Sequence, residues 1–139
     1  MKQHRNSTSS KSLMELEGSP VREPTETDTP LVQTCLQLMR IPLEQLTTEN
    51  LRLLIGQQIG LIFLMPLALD RLETDAFAAG DLYVGDLLYA VVRAPPNFWA
   101  AQPQLRSRLD HIVMDLKDRI RFLERDVFPN YERIYGSHT

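Results

Sequence analysis

Few residues in this chain are of a kind that does covalent or metal chemistry, and their spacing serves it poorly. Of the three histidines, His4 and His138 fall in terminal tails, which leaves His111. It precedes Asp115 by one helical turn, so both side chains can reach one ion. A closed metal site takes four ligands, however, and an open catalytic one takes three. No further ligand stands at a matching spacing, so the pair reads as solvated and no metal site is expected. The single cysteine, Cys35, has no partner for an internal disulfide and no base nearby in sequence. Its place in Leu31-Val32-Gln33-Thr34-Cys35-Leu36 marks a buried core thiol. There is no Gly-x-Ser-x-Gly elbow and no glycine-rich loop leading to a lysine. The reading is a binding protein, not an enzyme, with no cofactor.

Charge is the more informative chemistry. Residues 60–92 carry Asp70, Glu73, Asp75, Asp81 and Asp86 against Arg71 alone, a net of −4. Residues 101–125 carry six basic against four acidic side chains, a net of +2. An acidic middle can steer a basic partner, because complementary fields raise association rates and select partners. Asp70, Glu73, Asp75, Asp81 and Tyr83 are therefore the candidate partner-binding residues. Asp86 is set apart, since it precedes Leu87-Leu88 where a carboxylate caps a new helix. Gly56, Gly60, Gly80 and Gly85 stand singly at element ends, a structural use of glycine. The basic residues form no dense run interleaved with aromatics, so nucleic acid is not an expected ligand.

These groups must be positioned by helices. Thr29-Pro30 supplies a cap and a first-turn proline for a helix with Leu31, Cys35, Leu38 and Met39 on one face, ended before Pro42. Threonines at 47 and 48 lead into a second helix through Leu51, Leu54 and Ile55. A third opens at Gly60 with Leu61, Leu64, Met65, Ala68, Leu69 and Leu72 on a wide apolar face. Pro66 requires it to start nearby or to bend. Residues 75–86 form a link, Asp86 to Val92 a short helix, and Pro95-Pro96 its stop. Beyond Pro103, Leu105, Leu109, Ile112, Leu116, Ile120 and Leu123 mark a long amphipathic helix.

Alternation of period two is absent beyond four residues, so the expected fold is all-α: a single compact bundle of about five to six helices. The 139 residues suit one domain, divided into a flexible N-terminal arm over 1–29 that docks through Leu13, Met14 and Leu16, and a helical domain over 30–139. The longest apolar run, Ile59 to Leu69, is about half of a membrane span. The polar start of the chain lacks an apolar signal-peptide core, so a cytoplasmic protein is expected.

An ordered series of segments resembles the immunity proteins of contact-dependent growth inhibition (CDI) systems. It runs from Lys11-Ser12-Leu13-Met14-Glu15-Leu16-Glu17 through Leu31-Val32-Gln33-Thr34-Cys35, Pro42-Leu43 and Leu51-Arg52-Leu53-Leu54-Ile55-Gly56-Gln57. It continues with Ile59-Gly60-Leu61, Pro66-Leu67-Ala68-Leu69, Gly80-Asp81-Leu82-Tyr83 and Gly85-Asp86-Leu87-Leu88, and closes at Phe98-Trp99. Val21-Arg22-Glu23-Pro24 departs from it by lacking a tryptophan and a glycine. The resemblance implies that Gly56, Gln57, Gly60, Pro66, Gly80, Gly85, Asp86 and Trp99 belong to a shared scaffold. It also implies a protein that neutralises one cognate toxin domain, often a nuclease, by covering its active site. The competing reading is a helical adaptor or oligomerisation module that pairs through the 103–125 helix. Neither reading fixes the oligomeric state.

Overall fold

The computed structural model describes residues 9–136, which leaves His4 and His138 outside the described residues. The architecture is all-α, and no strand occurs among the described residues. Helix α1 (Leu13–Glu17) is short and held by a capping box, in which Ser12 Oγ accepts the Glu15 N–H at 3.2 Å and the Glu15 carboxylate accepts the Ser12 N–H at 3.1 Å. Leu13, part of the expected docking point of the N-terminal segment, is fully buried. Two backbone bonds flank it, Met14 N–H to the Met39 carbonyl and Leu43 N–H to the Lys11 carbonyl. Ion pairs of Arg22 with Asp28 and of Arg40 with Glu23 tie the following segment to itself and to the turn that ends the next helix.

Helix α2 (Pro30–Leu38) begins as its sequence requires, with Thr29 as cap and Pro30 in the first turn. Cys35 and Leu38 face the core, whereas Leu31 is 38% exposed rather than sharing their face. A single 3-10 turn at Leu43–Gln45 leads to α3 (Thr48–Gly56), capped reciprocally by Thr47 and Asn50. Helix α4 (Leu61–Thr74) is the centre of the molecule, buries Leu64, Met65, Ala68, Leu69 and Leu72, and packs against α3, α5 and α7. Pro66 lies in its second turn and offers no N–H to the Ile62 carbonyl. Ile62 is exposed, so that carbonyl can turn to water at little cost.

Helix α5 (Asp86–Val92) buries Leu87, Ala90 and Val91. The pair Pro95-Pro96 does end it, but it also starts a helix the sequence reading omitted, α6 (Pro96–Ala101), with proline at the first position. Trp99 on α6 is buried and meets Phe98 edge to face at 5.2 Å.

Helix α7 (Pro103–Phe122) continues through a π-wound turn (Leu123–Val127) into a last helical stretch (Phe128–Ile134). Leu105, Leu109, Ile112 and Leu116 pack on the core as their spacing predicts. The rest of the expected stripe does not, since Ile120 is 51% and Leu123 37% exposed and, among the described residues, none beyond Leu116 is buried. Periodicity reveals an apolar face but not how much of it the body is long enough to cover. No helix among the described residues is long and apolar enough to cross a membrane.

Candidate functional site

The link between α4 and α5 is organised around one buried carboxylate. Asp86, only 2% exposed, is not the cap of its helix: Gly85, in the left-handed region at φ 89°, takes that position. As the first residue of α5, Asp86 instead turns its side chain back over the loop. Its Oδ1 accepts the Gly80 N–H at 2.6 Å, and its Oδ2 accepts those of Leu82 at 3.1 Å and Tyr83 at 3.4 Å. The Arg52 guanidinium of α3 lies 3.7 Å away. Burial alone would push this carboxyl up, but the three N–H donors and Arg52 outweigh it and hold the group below its ordinary range.

A second carboxylate finishes the lock. Glu49 of α3 receives two bonds from Arg52, at 2.7 and 2.5 Å, and its Oε1 also accepts the Asp81 N–H at 2.8 Å. The Arg52 bonds hold the Glu49 carboxyl below the usual carboxylate range, with the Asp81 N–H adding to the effect. Gly80 is glycine because of this approach: a Cβ there would sit 2.9 Å from the Glu49 Cα and collide with its carboxylate. Gly60 is fixed in a similar way, at φ 62° with its α-carbon against Leu13. The close contact of Gly80 and the Glu49–Arg52–Asp86 set were not anticipated from sequence. The spacing of Glu49 and Arg52, one helical turn apart, was the available signal.

With the N–H groups of Gly80, Asp81, Leu82 and Tyr83 turned inward to carboxylates, the loop turns its large side chains outward. Leu82, Tyr83 and Val84 are 62%, 50% and 73% exposed, and Phe77 and Tyr89 are exposed near them. Beside Tyr83 opens a cleft of about 250 Å³, lined by Arg52, Gln57, Gln58, Tyr89 and Arg93 among others. The Arg93 guanidinium lies 5.4 Å from the centre of the Tyr89 ring, and the Tyr83 and Tyr89 rings are 6.5 Å apart. An exposed cluster of large side chains on a backbone held this firmly is suited to bind another macromolecule.

The five candidate residues do not form one acidic face. Asp70 and Glu73, on α4, both bond to Arg108 of α7, at 2.7 and 2.6 Å. Asp75 closes α4, and its carboxylate accepts the Phe77 N–H at 2.9 Å. Asp81 and Tyr83 stand on the exposed loop. The acidic count along the sequence therefore overstates the negative field at the surface. Asp86 is buried against Arg52, Asp70 and Glu73 share Arg108, and Arg93 brings a cation to the rim.

His111 lines a second cleft, of about 270 Å³, together with Glu73, Asp75, Phe77, Asp115 and Arg119. Its Nδ1 bonds the Ser107 carbonyl at 2.8 Å, and Asp115 pairs with Arg119 at 3.0 Å. Among the described residues no three His, Cys, Asp or Glu side chains group as metal ligands. Cys35 is buried, and burial pushes its thiol up, away from the reactive thiolate.

Comparison with known proteins places this scaffold. No curated protein and no solved structure matches the chain. The family model described as CDI immunity proteins matches residues 15–109. That span holds α2 to α6, the Glu49–Arg52–Asp86 lock, the exposed loop and the first turns of α7, and it covers more than half of the chain. The chain belongs to the family of CDI immunity proteins.

Proposed function

We propose that this protein neutralises one cognate toxin domain of a contact-dependent growth inhibition exoprotein, acting in the cytoplasm by binding and without catalysis. Family membership carries the reading. The finer part of the proposal is the surface: the 70–86 region, with Asp81 and Tyr83 at its centre, Asp75 beside them, and Asp70 and Glu73 on the α7 side. A toxin that cleaves RNA or DNA holds phosphates in a basic cleft, and carboxylates presented there occupy the positions phosphates would take. Tyr83, Leu82 and Val84 add the aromatic and apolar contact that usually carries binding energy at an interface centre. Blocking substrate entry, rather than distorting the toxin, is the mode this locked loop supports.

The test pairs the protein with its cognate toxin fragment, sought in the neighbouring genes, and follows both binding kinetics and toxin activity. Asp81→Lys with Tyr83→Ala is expected to weaken binding at least tenfold, with slower association and a smaller salt dependence. Unchanged affinity, rate and salt dependence in a folded variant would place the interface elsewhere. Asp70 and Glu73 are poorer first targets, because reversing them also breaks their bonds to Arg108.

A further inference from the structure

The end of α3 breaks two local rules of helix construction, and both breaks line the cleft beside Tyr83. The helix closes in a Schellman motif: the Gln58 N–H reaches the Ile55 carbonyl and the Ile59 N–H the Leu54 carbonyl, each at 2.9 Å. The residue that turns the chain there is Gln58, at φ 59°. Glycine is the usual choice for this position, because an L side chain in the left-handed region is strained. Among the described residues Gln58 is the one non-glycine with a positive φ. A glycine does stand two positions earlier, where the fold does not require it. Gly56 is the last residue of α3 and lacks a positive φ, and a Cβ added to it would meet no atom within 4 Å. Contacts within the chain explain Gly60 and Gly80, but not Gly56. Glycine in a helix costs stability relative to residues with a side chain. Local rules broken at a cost to the fold, side by side and exposed to solvent, point to binding.

The chemistry of the lining says what the cleft would hold. Its charged residues are Arg52, Asp86 and Arg93. Two of them are committed within the chain: Asp86 accepts the loop N–H groups, and Arg52 bonds Glu49 and faces Asp86. Arg93 is exposed, lies over the Tyr89 ring and has no carboxylate partner among the described residues. The carboxamides of Gln57 and Gln58 beside it likewise have no hydrogen-bond partner among those residues, and each can donate two N–H bonds. A guanidinium placed over a ring is partly ordered before it binds, and its fork of donors matches a carboxylate in bidentate fashion. A phosphate group, at about −1.5 to −2 charge, would be left half-neutralised beside Asp86. At about 250 Å³ the cleft falls below the about 300–1,000 Å³ of small-molecule pockets and suits a single side chain.

We infer that this cleft is the socket for one aspartate or glutamate side chain of the toxin, with Arg93 as its ion-pair partner, Gln57 and Gln58 as further donors, and Gly56 as the gap through which it enters. The inference rests on the toxin reading above and names a chemistry that the reading does not. Opposite Asp81 the partner surface is basic, whereas opposite Arg93 it carries an acid. Two unlike charges in fixed positions set the register of docking and reject partners that bear the wrong sign at either one.

The test measures thermal melting and toxin affinity on the same variants of the full chain. Gly56→Gln and Gln58→Gly should each raise the melting temperature, since each restores the residue type the helix end favours, and should each weaken toxin binding. Arg93→Met, which keeps the stem over Tyr89, should weaken it about tenfold or more, and Arg93→Lys should not restore it fully. Neutralising the toxin's surface aspartates and glutamates one at a time should reveal one whose loss weakens binding to the wild-type chain about tenfold but leaves binding to Arg93→Met nearly unchanged. Unchanged affinity in folded Arg93→Met, while Asp81→Lys with Tyr83→Ala still weakens binding, would overturn the inference and leave the toxin reading standing. So would stabilised Gly56→Gln and Gln58→Gly proteins that bind as the wild type does, or the absence of any toxin carboxylate coupled to Arg93. A wild-type chain that does not bind the toxin would remove both.

Discussion

Replacing Asp86 by asparagine isolates the contribution of the buried carboxylate to the exposed loop. The wild-type side chain gathers the N–H groups of Gly80, Leu82 and Tyr83 and lies 3.7 Å from Arg52. A hydrogen bond to a charged group contributes about 1.5–3 kcal/mol, and a buried donor left without a partner costs about 1–3 kcal/mol. Asparagine keeps one acceptor oxygen and turns an amide N–H₂ toward the donors that faced the other. The expected loss is therefore about 2–4 kcal/mol, a large part of the about 5–15 kcal/mol that holds a typical domain together. Urea denaturation at neutral pH measures it directly.

The pH dependence supplies a second, independent reading of the same change. Asp86 and Glu49 are both held below their ordinary range in the folded protein. Their stabilisation is thus complete above the unfolded values near about pH 4 and is lost as pH falls through the folded ones. Wild-type stability should decline on acidification, and Asp86→Asn should decline less steeply because one of the two groups no longer titrates. Amide exchange at Gly80, Leu82 and Tyr83 should quicken in the variant before the core amides respond. A loss below about 0.5 kcal/mol, within the range of ordinary surface substitutions, would refute the assignment of Asp86 as the organiser of the loop. An unchanged acid profile would refute it equally.

Two further substitutions test the packing around this site. Gly80→Ala should cost about 1–3 kcal/mol, since the new methyl meets Glu49 and forces the loop outward; thermal melting checks it, and an unchanged melting temperature would show that the loop yields freely. Leu64→Ala, at a fully buried position in the central helix, should cost about 2–5 kcal/mol, read by denaturant midpoint, and a cost below 1 kcal/mol would mean that the core recloses around the gap.

Much of the helical frame could be read from residue order alone, because local signals specify helix ends and apolar spacing specifies the buried face. Thr29-Pro30 and Thr47 start helices where they stand in the sequence, and Leu64, Ala68, Leu69, Leu72 and Ile112 enter the core as their spacing requires. The ordered motif series likewise pointed to the family that the match over 15–109 establishes.

Other features depended on distances between segments remote in sequence. Asp86 looked like a cap because its next neighbours begin a helix, yet its acceptors serve loop amides that only the folded link brings within reach. Asp70 and Glu73 looked like free surface charge until α7 set Arg108 beside them, 35 to 38 residues further along the chain. The stripe of α7 is continuous in sequence, but its burial stops at Leu116 because the body against which it packs ends there. Local sequence specifies a helix and its apolar side, since both follow from backbone geometry and spacing; which charges are neutralised and which apolar residues stay exposed is decided by what the remaining helices place against them.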